Sequence, residues 1–129
     1  MKVISIKEPF ASLIKDGVKM YETRSWKTNY RGEIYIHASK TISTSDNKEN
    51  ALKFLESDIN PGYILCKCRL VDCIEMNEEF ISYINNETTE YFYGYYALGR
   101  YAWQLELIEV LETPIKAKGQ LGIWNYFEA

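Results

Sequence analysis

The chain has 129 residues, a formal net charge of −3 at pH 7 and 47% apolar residues. This length fits one domain with a single core, and no stretch reaches the roughly 18 consecutive apolar residues that a membrane-spanning helix needs. The acidic balance excludes tight, sequence-independent binding to duplex DNA, because such binding requires many phosphates to be neutralised.

The N-terminal part predicts two strands that flank a short helix. Lys2–Ile6 alternates between apolar and polar residues, which is typical of a strand. Its early charges also differ from the long apolar run of a signal peptide, so we expect a cytoplasmic protein. Pro9 favours the first turn of a helix, and Asp16-Gly17 predicts its end. Met20–Arg24 predicts the second strand.

The next segments predict a strand and the longest helix of the chain. After a turn at Gly32, Glu33–Ala38 alternates and predicts a strand. Ser43–Asp58 carries a narrow apolar stripe and predicts a helix, with Ser45 or Asp46 as its N-cap.

The C-terminal half predicts three more strand segments. Tyr63–Ile74 and Tyr101–Leu111 read as strands, Glu78–Ile84 as a short helix and Leu121–Trp124 as a final strand-like segment. Five or six strands and two or three helices without strict alternation favour an α+β domain with a small barrel-like sheet. No linker or repeat divides the chain, so we expect one domain over residues 1–129.

The cysteines predict core residues and no metal site. Cys66 and Cys68 lie on the same face of a predicted strand, and Cys73 follows nearby. Zinc would require paired C-x-x-C spacing or several histidines, and the chain has a single His. We therefore expect reduced thiols, no metal and no cofactor.

The segment from Gly17 to Arg24 is the strongest candidate for a site. In a strand Glu22 and Arg24 share a face, and Lys19 joins them only if residues 17–19 form a turn. Arg24 offers a fixed fork of donors, and Glu22 can orient it or accept from the exocyclic amine of a base. The alternative is a surface hairpin with ordinary ion pairs, which stabilise little.

Charge and aromatic residues near this segment add to the case. Residues 15–40 hold six Lys or Arg against three acidic residues, whereas residues 75–90 hold five Glu and no Lys or Arg. Trp26, Tyr30, Tyr35 and Trp103 are either stacking platforms for a base or core residues. The run Tyr91–Tyr96 either covers a cleft or forms a packed corner.

His37, followed by Ser39, is either a hydrogen-bonded structural residue or part of the site. The chain has no Gly-x-Ser-x-Gly motif and no phosphate-binding glycine loop. The candidate ligand-binding residues are Lys19, Glu22, Arg24, Ser25, Trp26, Tyr30, Arg31, His37, Ser39 and Trp103.

The pattern Gly17-x-Lys19-x-x-Glu22-x-Arg24 resembles the G-x-K-x-x-E-x-R signature of the ASCH (activating-signal-cointegrator homology) domain. The resemblance spans nearly the whole chain in the family's order. It also includes the segments 4–11, 24–26, 30–32, 36–39, 99–103, Pro114 and 118–124.

The resemblance implies a PUA-like β-barrel with flanking helices, and binding of RNA or of a modified nucleoside. Small bacterial relatives remove the acetyl group from acetylated cytidine with a lysine and a threonine of this motif and a distant glutamate. Lys19 matches that lysine, but Glu22 stands where the threonine is, and Thr23 lies on the other strand face. Glu75 is our candidate for the distant glutamate.

Three functions therefore stay open. In a binding module for RNA or a nucleoside, Lys19, Arg24 and Arg31 hold phosphate or a carbonyl, while Glu22 reads a base edge. In an amidohydrolase on acetylated cytidine or a ribonuclease, Lys19 and Glu22 are catalytic, with His37 assisting. In a protein-interaction module, the cleft or the acidic segment 75–90 binds a protein partner.

Overall fold

One six-stranded mixed sheet forms the centre of the protein in the computed structural model, which describes residues 1–127. The strands are β1 (Lys2–Glu8), β2 (Tyr21–Arg24), β3 (Gly32–Ile42), β4 (Tyr63–Glu75), β5 (Tyr101–Lys116) and β6 (Ile123–Asn125). The helices are α1 (Phe10–Lys15), α2 (Lys48–Leu52) and α3 (Glu78–Glu87), and a 3-10 turn spans Glu90–Tyr93. Residues 128 and 129 of the predicted domain lie outside the described residues.

The strand order is β2-β5-β4-β3-β1-β6. β1 and β3 are parallel, and the other neighbouring pairs are antiparallel. The prediction of an α+β fold with five or six strands and two or three helices is confirmed, and residues 1–127 hold six strands and three helices. The predicted barrel is only partly supported, because β2 and β6 are the two edge strands and, within residues 1–127, the sheet is not closed between them.

The core forms where alternating strand residues meet α1. Ile34 and Ile36 of β3 pack with Trp103 of β5 and with Ala11 and Ile14 of α1, all at most 1% exposed. Complete burial of such large apolar side chains contributes about 1.5–3 kcal/mol each. This packing holds α1 against the sheet and so fixes the position of the chain that follows the helix.

The two ends of α1 are set by specific hydrogen bonds. The carboxylate of Glu8, which is fully buried, accepts from Ser12 N (2.8 Å), from Ser12 Oγ (2.6 Å) and from Asn60 N (2.8 Å). At the other end, Gly17 has φ 76°, Gly17 N donates to Ile14 O, and Val18 N donates to Leu13 O. This is a Schellman motif, which favours glycine at the left-handed position.

The helix predicted over Ser43–Asp58 is much shorter in the structure, where α2 covers only Lys48–Leu52. The side chain of Asp16 binds a backbone group that a longer helix would have used. The carboxylate of Asp16 accepts from Glu56 N (2.9 Å) and from Ser57 Oγ (2.6 Å). These bonds hold the chain after α2 as a loop against the end of α1.

The predicted N-cap of this helix was also wrong. The N-cap is Asn47, not Ser45 or Asp46. The hydroxyl of Ser43 accepts from Ser45 N (3.1 Å), which forms a local turn before the helix. The side chain of Asn47 donates to Gly94 O (2.8 Å) and so ties α2 to the segment after the 3-10 turn.

The remaining predicted elements are confirmed with changed bounds: most are longer than predicted, whereas β2 begins one residue later, at Tyr21, and the final segment covers only Ile123–Asn125. β4 and β5 are longer than predicted, and their ladder runs from Tyr63↔Lys116 to Glu75↔Tyr101. Cys66 and Cys68 are buried in the core, and they and Cys73 are free thiols. Within the described residues, no helix has the length and apolar character needed to cross a bilayer.

We expect Glu8→Ala to lower the free energy of unfolding by at least about 2 kcal/mol, because three donors lose their acceptor and two of them are backbone groups. Urea denaturation measures this loss. Glu8→Gln keeps an acceptor oxygen and should be less destabilising. Replacement of the exposed Glu49 by Ala is the control. Equal stability of Glu8→Ala and Glu49→Ala would contradict the role of Glu8.

Candidate functional site

A cavity of about 1050 Å³ lies beside β1, β2 and β3. It is bordered by loops that carry residues 43–47, 93–95 and 117–122. Its volume reaches the upper end of the ~300–1,000 Å³ typical of small-molecule sites. The structure brings half of the predicted ligand-binding residues to its wall. These are Lys19, Glu22, Arg24, His37 and Ser39.

Glu22 and Arg24 form an ion pair on the cavity wall. Glu22 Oε2 accepts from Arg24 Nε at 2.9 Å and lies 2.8 Å from Nη2. Arg24 Nη2 also donates to Ser5 O at 2.9 Å, which fixes the guanidinium plane against β1. Within the described residues, Glu22 Oε1 and Arg24 Nη1 have no protein partner. An acceptor and a donor on the cavity wall therefore stay available to a ligand.

Lys19 joins this pair through the turn at Gly17. Lys19 N donates to Leu13 O, as expected for a chain that folds back on the helix end. The Lys19 side chain is only 3% exposed, and Nζ donates to Tyr93 O at 2.9 Å. Burial lowers the pKa of Lys19, while the nearby carboxylates of Glu22 and Glu90 oppose that shift.

Glu90 is a buried carboxylate near Lys19 that the sequence reasoning did not single out, although it does not itself line the cavity. It is 4% exposed, its Oε2 accepts from Met20 N at 2.8 Å, and burial raises its pKa while Lys19 opposes the shift. Among the described residues, neither its Oε1 nor the hydroxyl of Tyr96 has a hydrogen-bond partner. Glu75, the candidate suggested by the sequence, is exposed and is contacted by the Tyr101 hydroxyl (3.4 Å) outside the cavity.

His37 is held by hydrogen bonds on both ring nitrogens. Nε2 lies 2.7 Å from the carbonyl of Ala117, which can only accept, so Nε2 carries the hydrogen. Ser5 Oγ accepts from Trp124 Nε1 and donates to His37 Nδ1, each at 3.0 Å. Burial lowers the pKa of His37. The ring is therefore neutral and ties the cavity loop at Ala117 to β3.

The predicted aromatic platforms lie outside the cavity. Trp103 is fully buried in the core, and its Nε1 donates to Trp26 O (3.3 Å). The Trp26 ring packs edge-on against Trp103, with centroids 4.7 Å apart. The Tyr30 hydroxyl donates to Glu33 O (2.6 Å). These rings pack around the turn between β2 and β3.

Two further predicted residues also lie away from the cavity. Arg31 donates to Thr28 O and Tyr30 O and forms a 3.7 Å ion pair with Asp72. Ser25 is exposed at the end of β2. The signature thus places its charged residues in one cavity, while the chain directly after it turns away.

The run Tyr91–Tyr96 combines the two predicted arrangements, because it forms a packed corner and also lines the cavity. Tyr93 and Tyr96 are buried, whereas Tyr95 is 64% exposed and lines the cavity together with Tyr93 and Gly94. Tyr93 and Tyr96 pack into two different hydrophobic clusters, and Tyr95 between them stays exposed. The high density of aromatic residues in this part of the sequence does not indicate which rings are buried and which are exposed.

The cavity wall is strongly basic, although the chain carries a net charge of −3. The only acidic residue among the described lining residues is Glu22. The basic ones are Lys7, Lys19, Arg24, Lys40, Arg100, Lys116 and Lys118. The acidic residues of α3 lie elsewhere, so the cavity favours an anionic ligand.

Comparison with known proteins gives a family match over most of the chain. The family model of the ASCH domain matches residues 4–115, which include Lys19, Glu22 and Arg24. No curated protein matches the chain. Within residues 1–127, no group of three or more His, Cys, Asp or Glu side chains is placed to hold a metal ion.

The neutral state of His37 predicts a pH-dependent stability. Because its pKa is lowered in the fold, the unfolded chain takes up a proton below about pH 6.5 that the folded ring resists. The free energy of unfolding should therefore fall as the pH drops from about 6.5 through the lowered pKa. Urea titrations from about pH 7.5 to about pH 5 measure this slope.

His37→Gln supplies the matched control, because it lacks this titration while the carboxylates still titrate. The stability difference between the wild type and this variant should narrow as the pH falls. A difference that stays constant over the same pH range would contradict the assignment of His37 as neutral and structural.

Proposed function

The chain belongs to the ASCH domain family, and we propose that it binds RNA by taking one single-stranded or modified base into the basic cavity. The family suggests an RNA-binding type of function. Lys19, Glu22 and Arg24 are the proposed ligand contacts, and His37 and Ser39 are further lining residues of the same cavity.

The observation that carries the proposal is the convergence of Glu22 and Arg24 with two unused polar atoms. Glu22 Oε1 can accept from an exocyclic amine, and Arg24 Nη1 can donate to a neighbouring ring nitrogen or carbonyl. Cytosine and adenine each present an exocyclic amine beside a ring-nitrogen acceptor on their pairing edge. Such an edge is accessible only when the base is unpaired, which favours single strands.

The charge of the cavity supports a nucleotide over a neutral ligand. The protein is acidic overall, but several of its Lys and Arg residues line one cavity. This arrangement attracts a phosphate to the cavity without tight binding of long duplexes. Buried Lys19 adds a positive charge behind the Glu22–Arg24 pair. A short single strand requires only a few such contacts.

We expect Arg24→Ala to weaken binding of RNA about 10- to 150-fold, as for loss of hydrogen bonds to charged groups worth about 1.5–3 kcal/mol. Fluorescence anisotropy with the four labelled ribo-homotetramers measures the change. Arg31→Ala removes a cation outside the cavity and should have little effect. Equal affinities of wild type and Arg24→Ala, with folding checked by circular dichroism, would refute the proposed contact.

A second candidate is hydrolysis of an acylated nucleoside in the same cavity. The observation in its favour is the buried ammonium group of Lys19 with a lowered pKa, beside the two carboxylates of Glu22 and Glu90. A neutral lysine can act as a base or nucleophile, and a charged one can stabilise an oxyanion. The place of the threonine in the resembling deacetylases is taken here by Glu22.

Incubation with N4-acetylcytidine separates the two functions. A binding protein releases no cytidine, which is the result we expect. Cytidine release by the wild type that is lost in both Lys19→Met and Glu90→Gln would instead favour the hydrolase. Arg31→Ala again serves as the control for a contaminating activity, which would persist in all variants.

A further inference from the structure

The cavity has a second exposed feature, the stacked pair of Tyr95 and Arg100. The guanidinium carbon of Arg100 lies 4.2 Å from the centroid of the Tyr95 ring, and Arg100 Nε donates to Tyr95 O (3.1 Å). Tyr95 is nevertheless 64% exposed, and both residues line the cavity. A flat ring backed by a cation is a surface on which a base stacks well.

The platform is fixed next to the base-binding strand. Tyr95 N donates to Thr23 Oγ1 (3.1 Å), and Thr23 is the chain neighbour of both Glu22 and Arg24. On the other side, Gly94 O accepts from the side chain of Asn47 (2.8 Å). A Cβ at Gly94 would lie 2.6 Å from Tyr96 Cε2, so the loop packs too closely for any other residue. The backbone of Tyr95 is therefore fixed at the cavity rim.

Four lysines supply positive charge elsewhere on the same wall. They come from β1, β3, the end of β5 and the segment after it, and are Lys7, Lys40, Lys116 and Lys118. In the part of the chain that the structure describes, none of them forms an ion pair. Lys116 and Lys118 also lie beyond the residues that the family model matches.

We propose that the cavity binds a short single-stranded RNA of several nucleotides, with one base at Glu22 and Arg24 and a neighbouring base stacked on Tyr95. This inference rests on the proposed function and specifies its ligand as an oligonucleotide instead of a free nucleoside. The unpaired lysines contact the phosphates that connect the bases. The cavity, at about 1050 Å³, has more room than one nucleoside fills.

The test compares a ribo-homotetramer with its matching nucleoside 5′-monophosphate by isothermal titration calorimetry. The tetramer should bind wild-type protein at least about 10-fold more tightly, because stacking and phosphate contacts add to the base contact. Tyr95→Ala should weaken tetramer binding about 5- to 150-fold and leave monophosphate binding unchanged. Tyr95→Phe keeps the ring and should bind like the wild type.

Tyr91→Ala removes a tyrosine that is 46% exposed but does not line the cavity, so it should bind both probes normally. The double variant Lys116→Gln, Lys118→Gln should reduce the salt dependence of tetramer binding by about 0.7 in log–log slope for each phosphate that the protein no longer neutralises.

The two proposals fail in different ways. If the monophosphate binds in an Arg24-dependent manner but the tetramer gains nothing, or if Tyr95→Ala weakens both probes equally, the oligonucleotide inference is overturned and the proposed base site stands. If no probe binds at low salt, both proposals are overturned.

Discussion

The buried ammonium group of Lys19 is the constraint on which the site depends. A charge removed from water must be compensated, and here the compensation comes from a distant part of the chain. Tyr93 O accepts from Lys19 Nζ, while the Glu90 carboxylate accepts from Met20 N next to Lys19. The link between helix α1 and strand β2 is thereby held against the 3-10 turn. One set of polar contacts both closes the interior and forms a wall of the cavity.

Local sequence determined the parts of the site that depend on neighbouring residues. Gly17 predicted a turn that would bring Lys19 beside Glu22 and Arg24, and the Schellman motif at Gly17 has this effect. The strand period placed Glu22 and Arg24 on one face, and the structure pairs them directly. Sequence pattern likewise located β1 to β5, though not all of their ends, and indicated β6 only as a strand-like segment over Leu121–Trp124.

Contacts between distant segments could not be read from local pattern. The role of Glu90 depends on its hydrogen bond from Met20 N, 70 positions earlier in the chain. None of its sequence neighbours indicates that this carboxylate is buried. Trp103 was ambiguous because a large ring suits a core as well as a ligand site, and only its position in the middle of the sheet decides between them. The prediction of a long helix was wrong for the same reason. The Asp16 carboxylate accepts from Glu56 N, a backbone group that the longer helix would have used.

The last strand of the described chain determines how the cavity is completed. β6 pairs with β1, and the segment before it is fastened to His37 and Ser5, with Gly119 packed against both side chains. The ribosome releases this segment only after β1 to β5 have emerged, because it follows them in the chain. The earliest and latest segments of residues 1–127 thus meet at the cavity, and the wall that residues 117–122 form depends on this closure of the two ends.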